Sequence, residues 1–540
     1  MSRRTAAAAA LFLAALLFLG YGAGRARIGA GFLDPVGRVT AQDEAVYSHI
    51  AIQMAASQMT AGGEWLTPVF LGRYFLYKPP LVYWLPALST RLFGVSATTL
   101  RLPSIFSGAL IGLFLFLWIR QQAGSARALL GVALALSSTL FHTLAQRNLT
   151  DAMLTAAMVA VVYLLHRHSK LDKPSVAILL GCACGIAVLA KSIAGLLPAM
   201  IICLYFATAP KQWRPSLPRL LLAVAAGAGV ALPWFLYQYW AHPRWFWAEF
   251  VQVELLAWGA AAPPQTSAEG QVWFYASRLW VTDPWLCLAA AFSIPGFVWK
   301  LRQRGPSSVL LACWIAVTVA APLLFQYRNA TYLMPLIPAL AVLAATHFWL
   351  PEEPKLLAAV IALALLAGRA GSLWAAPEPN RVMELAARYC ELDRGNELIV
   401  VSTDDEFHAT VLPLDKVRYA IEGTGQPPKG FALDFRQMGI VASVDEFIDW
   451  KQHRPRFLLQ LHQWGLERED ALASVIALPA RGDLARLVEA SPQHDFLVPA
   501  RLAESIGHSS HQRRAGPAGN LLLLGLPHPR TAPRRRGCRM

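Results

Sequence analysis

The chain has 540 residues, 56% of them hydrophobic and only 15% charged, with a formal net charge of +15. A soluble chain of this length carries roughly a quarter charged residues, so composition excludes an ordinary soluble protein, a disordered one and, with 7 cysteines, a disulfide scaffold. Nor does the charge mark a nucleic-acid surface: residues 1–376 carry a net +15, residues 377–500 a net −7 and residues 501–540 a net +7.

Apolar runs of roughly 15–21 residues, about the length that crosses a hydrocarbon core, recur as far as residue 375. Eleven spans are predicted, at 6–24, 102–119, 128–145, 152–165, 175–190, 193–208, 220–240, 284–299, 307–325, 332–349 and 356–375. Short or broken runs leave ten to thirteen open. The first run follows Arg3 and Arg4 and is read as a retained signal anchor, with cleavage near Ala23 as the alternative. Cytoplasmic loops are enriched in Lys and Arg. With the N-terminus inside, six inner segments totalling 47 residues hold 14 Lys and Arg against 3 acidic residues. The other 329 residues up to 376 hold 13 and 9. An odd number of spans then puts everything after residue 376 outside the cytoplasm.

Two outer loops are long. In the first, 25–101, Tyr47, Ile50 and Met54 share one face of a helix running from Asp43, which suits a helix lying in the interface. The run Leu81–Phe93 is too short to span and is expected to be re-entrant. The second loop, 241–283, is aromatic: eight of the 18 tryptophans fall between Trp234 and Trp285. An interfacial belt explains most of them, and a groove for a lipid chain would look the same.

Beyond Pro377 the pattern changes. Short runs at Glu397–Ser402, Val417–Ile421, Gly439–Ala442 and Arg456–Leu461 read as strands. They alternate with helical patterns at Arg381–Cys390, Val444–Gln452 and Glu467–Ile476. The fold class predicted is thus a polytopic α-helical membrane protein over 1–376, followed by a small soluble α/β domain over 377–500. Residues 501–540 read as a basic, disordered tail.

A charge at bilayer depth costs about 2.5–3.5 kcal/mol on insertion scales, so such residues usually face a cavity. The predicted topology gathers Asp43, Glu44, Lys78, Arg147, Asp151, Lys191 and Arg328 on the outer side. In one pocket, a carboxylate can act as general base towards a hydroxyl, and cations can hold a phosphate leaving group. Each residue also has a plainer reading. Thr40-x-x-Asp43 fits a capping box. Asp151 can cap a helix, with Arg147 its partner one turn earlier. Lys78, Lys191 and Arg328 can snorkel to lipid headgroups. Clustering favours the pocket.

Five motifs occur in series in the first loop: Asp43-Glu44-Ala-Val-Tyr47, Gly63-Glu-Trp65-Leu-Thr-Pro68, Tyr77-Lys78-Pro79-Pro80-Leu81-Val-Tyr83-Trp84, Leu92-Phe93-Gly94 and Arg101-Leu102-Pro103-Ser104. Leu149-Thr150-Asp151, Leu189-Ala190-Lys191, Leu232-Pro233-Trp234 and Tyr332-Leu-Met-Pro335 follow. Over about residues 40–350 the chain resembles the polyprenyl-phosphate-sugar glycosyltransferases of the C-type membrane fold. It is most similar to the bacterial protein-mannosyltransferase-like and aminoarabinose (lipid A) transferase families. The resemblance implies an outward-facing active site in the 1–376 domain, fed with a lipid-linked sugar from within the membrane. It implies Asp43 as the catalytic acid residue, Glu44 as its neighbour, Asp151 as a second acidic residue and Lys78 on the carrier phosphate. Arg328 and Tyr332 match the basic residue and tyrosine of the Tyr-x-x-Pro region, and Lys191 and Arg147 are grouped with the phosphate-binding residues.

The chain departs from the family in places. Relatives commonly carry Glu before the Lys-Pro pair, where Tyr77 stands here. In aminoarabinose transferases that Glu and a later His can hold a metal, but the stretch Ser267–Trp273 has Glu269 and no His. No cofactor is therefore assigned; a divalent metal stays open without the family's usual ligands. Ser192 follows Lys191 where relatives have another small residue. The implied function is transfer of a sugar from a polyprenyl-phosphate donor to a glycolipid such as lipid A, or to a protein hydroxyl. Transfer would occur with inversion, on the outer face of the plasma membrane (the bacterial inner membrane). The partners implied are that donor and a lipid or protein acceptor, with no nucleic acid. A flippase of a lipid-linked sugar and an inactive scaffold are the alternatives.

Overall fold

The computed structural model describes residues 3–23, 38–57, 65–70, 73–94, 96–257, 270–325, 328–347 and 355–372, together with six strands between 398 and 525. Helix α1 (Arg3–Ala23) and helix α2 (Arg38–Ala56) come first. A two-residue antiparallel pair, β1 (Val69–Phe70) and β2 (Arg73–Tyr74), leads to α3 (Leu81–Phe93). Then follow α4 (Ala97–Ser137), α5 (Thr139–Ala145), α6 (Thr150–Arg167), α7 (Pro174–Lys191), α8 (Leu197–Thr208) and α9 (Leu217–Ala241). A π-helical segment, Phe246–Ala257, precedes α10 (Gln271–Thr282), α11 (Pro284–Arg302), α12 (Pro306–Leu323), α13 (Leu336–His347) and α14 (Lys355–Ser372).

Six of these helical stretches are long and apolar enough to cross a membrane, or seven if the bent pair α5 and α6 counts as one. The chain is thus a helical membrane protein, with fewer continuous crossing helices than the eleven apolar windows. The difference has a physical origin. Two of the six, Ala97–Ser137 and Pro174–Thr208, are 41 and 35 residues long and each spans two windows. Gly124 interrupts the first at φ 83°, a left-handed conformation that glycine adopts without penalty. A 3₁₀ turn at Ser192–Leu196 interrupts the second. Between α5 and α6 the axis turns by 107°. That turn follows the window at 128–145, which is itself broken at Ser138 between α4 and α5: Asp283 accepts the backbone N–H of Thr139 at 2.6 Å, and Ser138 Oγ that of Phe141 at 3.2 Å, capping α5.

The interior is built by close approach. A side chain at Gly108 of α4 would lie 2.7 Å from Leu19 Cδ1 of α1. Gly181 and Gly185 of α7 face the backbones of Ala223 and Gly227 in α9; a β-carbon on either would come within 2.6 Å of a carbonyl oxygen. The carbonyl of Ala23 ends α1 and has no partner within the helix, and that of Leu19 lies one turn earlier. Gln146 Nε2 donates to Leu19 O at 2.6 Å, and Arg101 Nη1 to Ala23 O at 2.7 Å. Helix α13 is buried along its length, whereas Leu221, Val224, Leu232 and Leu236 of α9 are exposed, as suits a lipid-facing helix.

The helix from Asp43 starts earlier than the sequence suggests, at Arg38, and Tyr47, Ile50 and Met54 face the protein core rather than the interface. Trp240, Trp247, Trp273, Trp280 and Trp285 are exposed, as in an interfacial belt, while Trp234 and Trp245 are buried with Phe246 and Phe250.

The strands β3 (Leu398–Thr403), β4 (Val417–Glu422), β5 (Val475–Leu478), β6 (Asp495–Pro499), β7 (Gln512–Ala515) and β8 (Leu521–Gly525) form one sheet in the order β5-β4-β3-β6-β8-β7. Strands β5, β4, β3 and β6 are parallel; β8 is antiparallel to β6, and β7 to β8. The runs at 397–402 and 417–421 are strands. Three expectations are corrected or fall elsewhere. Val475 and Ile476 belong to a strand, not to the end of a helix, consistent with their β-branched side chains. The tail expected to lack regular structure contains β7 and β8, the latter a run of four leucines. The readings at 381–390, 439–442, 444–452, 456–461 and 467–474 lie outside the described residues.

Candidate active site

Among the described residues lies a cavity of about 450 Å³. Its polar wall is formed by Asp43 of α2, Lys78 in the segment before α3, Asp151 at the start of α6, Lys191 and Ser192 at the end of α7, and Glu254 of the π-helical segment. Leu154, Leu196, Leu197 and Met200 form an apolar wall, and Tyr332 and Pro335 close another side. Asp43, Asp151, Lys78, Lys191 and Tyr332, which the sequence places in one pocket, thus share one cavity. Glu44, Arg147 and Arg328 do not line it.

Each side chain is held by local rules. Pro79 and Pro80 restrict the backbone around Lys78, and the N–H of Leu76 donates to buried Glu249 Oε2 at 2.7 Å. Lys78 Nζ donates to Glu254 Oε1 and Oε2 at 2.7 and 2.8 Å and lies 4.1 Å from the Tyr77 ring centroid. The aromatic face of Tyr77 therefore contacts the lysine. Ser192 Oγ donates to the same Glu254 at 2.7 Å. Ser192 has φ 41°, in the left-handed region costly for a residue with a β-carbon, at the point where α7 gives way to the 3₁₀ turn.

Asp151 is not the cap of α6: that position is Leu149, and Asp151 lies in the first turn, where the positive end of the helix favours its charge. Its described partners are Lys191, whose Nζ donates to Oδ1 at 2.5 Å, and Thr150, whose Oγ1 donates to Oδ2 at 3.5 Å, and not Arg147. Lys191 Nζ also lies 5.2 Å from the Tyr332 ring centroid. Lys78 and Lys191 thus point at carboxylates rather than towards headgroups.

Asp43 is half-buried and faces the cavity. Because α2 begins at Arg38, Thr40 lies inside the helix and the capping-box reading fails. Among the described residues no hydrogen bond to the Asp43 carboxylate is seen. Desolvation pushes its carboxyl up to about 6, Lys78 and Lys191 pulling it down and the charges of Asp151 and Glu254 adding to the rise. Glu44, expected beside the catalytic residues, is instead fully buried behind them. Arg101 Nε and Nη2 donate to its two oxygens at 2.6 and 2.9 Å, and the N–H of Asn148 donates to Oε1 at 3.2 Å. Burial raises the Glu44 carboxyl, but Arg101, with help from Arg147 and the Asn148 amide, outweighs it and holds it below the usual range. The Glu44 and Arg147 side chains are thus buried away from the cavity: Arg101, 57 residues away in sequence, binds the Glu44 carboxylate, and the charge of Arg147 acts on it too.

Glu254 was not foreseen: it lies in no recognisable motif, and its segment does not follow the 3.6-residue period. Arg101 was visible only as part of a motif. Among the described residues no group of three His, Cys, Asp or Glu is placed to hold a metal ion. Tyr77, where the resemblance would lead one to expect a carboxylate ligand, carries a phenol, and Glu269 lies outside the described residues.

Residues 77–249 match the family model of dolichyl-phosphate-mannose-protein mannosyltransferases. The chain is 31% identical over 315 residues to the undecaprenyl phosphate-alpha-4-amino-4-deoxy-L-arabinose arabinosyl transferase 1 of Sodalis glossinidius (strain morsitans), covering 56% of this chain and 54% of that one. It spans about half the length of the curated relatives it matches. Its fold is similar to that of ArnT from Cupriavidus metallidurans in the apo state, with a TM-score of 0.68, 16% identity, and 97% of this chain and 98% of that one covered. Against the same protein bound to undecaprenyl phosphate the TM-score is 0.65, with 17% identity and coverage of 96% and 97%. The family resemblance seen in the sequence is therefore borne out, and the fold is that of ArnT.

Proposed function

We propose that the protein transfers a sugar from a polyprenyl-phosphate-linked donor to an acceptor at the outer membrane-water boundary. The observation that carries this reading is the joint placement of Asp43, Asp151, Lys78 and Lys191 on one cavity with an apolar wall. A glycosyl phosphate on a long lipid needs that combination: apolar surface for the chain, cations for the phosphate, and a carboxylate for the acceptor. The acceptor hydroxyl oxygen attacks the anomeric carbon, the bond from that carbon to the phosphate oxygen breaks, and the electron pair leaves with the lipid phosphate. Asp43 takes the hydroxyl proton, and attack opposite the leaving group inverts the anomeric centre. Lys78 and Lys191 stabilise the charge that grows on the phosphate. If the acceptor is itself a phosphate, it needs no deprotonation and Asp43 positions it.

Eleven spans, with the region after residue 376 as an α/β domain whose sheet extends to β8 and everything after residue 376 on the outer side, complete the proposal. Supporting that count, a 41-residue helix is about 60 Å long, twice a hydrocarbon core. Splitting it at Gly124, and Pro174–Thr208 at its 3₁₀ turn, yields two crossings from each. The basic inner loops supply the orientation.

The test uses the full chain in vesicles whose lipid-linked sugar is confined to the leaflet facing the site. Consumption of the donor with release of polyprenyl phosphate supports transfer; relocation of intact donor supports a flippase. Normal transfer by both Asp43→Asn and Asp151→Asn overturns the residue assignment.

A further inference from the structure

Glu254 has no place in the transfer chemistry, yet it occupies both the cavity and the lysine assigned to the donor phosphate. Its two oxygens sit 2.7 and 2.8 Å from Lys78 Nζ, an arrangement that already satisfies much of that cation. The Lys78 and Glu254 side chains are only 13% and 6% exposed, so water screens their attraction weakly. A phosphate arriving at Lys78 would meet a carboxylate in the position it must take. Two anions on one ammonium repel each other across a few ångström in a site with an apolar wall. Resting on the transferase reading, we infer that Glu254 is an exchangeable counter-ion: the donor phosphate replaces it on Lys78, and its return drives the lipid phosphate out after transfer.

The contrast with Lys191 identifies Glu254 as the group that yields. Asp151 is held by Lys191 and by the positive end of α6, so giving up Lys191 would still leave it a favourable field. It also reaches Lys191 through one oxygen, leaving donors on that ammonium for phosphate. Glu254 instead claims Lys78 with both oxygens and has a second donor in Ser192 Oγ, at 2.7 Å, to retain when Lys78 turns away. The π-helical segment that carries it departs from α-helical hydrogen bonding, a geometry that often marks functional sites. Glu254 is therefore a positioning residue acting through Lys78, with the largest effect on product: a lipid phosphate monoester carries more negative charge than the donor diester and would be held harder.

Binding of undecaprenyl phosphate to the full chain in detergent or lipid nanodiscs tests the exchange. Glu254→Gln keeps the shape and the Ser192 contact but removes the competing charge, and is expected to bind about tenfold tighter. Transfer by this variant should show stronger inhibition by added undecaprenyl phosphate and a lower kcat. Lys78→Gln combined with Glu254→Gln should show no tightening, because the gain requires the freed lysine. Glu254→Asp withdraws the charge by one methylene without removing it and should tighten binding by less, which covers the case in which the glutamine variant fails to fold. Unchanged or weaker binding by the folded Glu254 variants overturns the exchange while leaving the transferase reading intact. No binding by the unaltered chain overturns both.

Discussion

Asp43 and Glu44 are adjacent on one helix and carry the same functional group, yet their environments are opposite. Glu44 is buried and grasped by Arg101 at both oxygens. Asp43 faces the cavity, with Lys78 and Lys191 near enough to act through charge. One carboxyl is held below its usual range and the other pushed up to about 6. A fully paired carboxylate is a poor base, whereas one whose proton affinity is raised towards neutrality can take a proton and still be ionised at pH 7. Adjacent positions on a helix point about 100° apart, which is how one turn supplies both a buried anchor and a carboxyl that faces the cavity.

The difference can be broken from either side. The largest expected effect is on chemistry: Asp43→Asn should lower transfer by about 10²–10⁴-fold, the usual contribution of a general base, while leaving the melting temperature unchanged or raised. Rates of sugar transfer and a thermal melt in detergent check both halves. Next, Arg101→Met strands the Glu44 carboxylate in the interior and should cost about 3–5 kcal/mol of stability. Pairing it with Glu44→Leu should recover part of that loss, as seen in the fraction of folded protein after heating. Replacing Lys191 by Met should lower the rate by about 10²-fold, as for loss of one charged stabiliser, and should cost less stability than Arg101→Met, because Asp151 faces the cavity and the positive end of α6.

The smallest effect, and the sharpest contrast, is with pH. With the Asp43 carboxyl at about 6, transfer to a hydroxyl acceptor should fall about tenfold per unit below that value and level off above it. The stability signs are opposite. The lowered Glu44 carboxyl contributes stability that is present above its ordinary range and lost as pH falls through its lowered value. The raised Asp43 carboxyl disfavours folding once ionised, and acidification through about 6 relieves that cost. A rate profile that stays flat down to pH 5 would remove Asp43 as the base.

Much of this was legible in the sequence, and the gaps have identifiable causes. Asp43, Lys78, Asp151 and Lys191 stand in short motifs at the outer ends of apolar runs, and a topology drawn from basic loops puts them on one side. Topology could not say which way a side chain turns, and so it grouped Glu44 and Arg147 with the cavity. Arg101, which binds the Glu44 carboxylate, comes close only when α1, α2 and α4 pack together. Glu254 was hidden because a π-helix breaks the periodicity that patterns depend on. Hydropathy also missed the helix break at Ser138, since composition is blind to the caps that Asp283 and Ser138 provide. The strand β8 was passed over because four leucines suit a helix as well as a strand.

The glycines shared by α7 and α9 bear on how this protein could change its substrate. Lys191 ends α7 six residues after Gly185, about 9 Å along the axis. Gly185 rests against the backbone of Gly227, where a methyl group would fall 2.6 Å from a carbonyl oxygen. Any side chain there would wedge the two helices apart, and the ammonium at the end of α7 would swing with its helix. The spacing of charges across the cavity is thus adjustable from a place that never touches the substrate, through the girth of one residue.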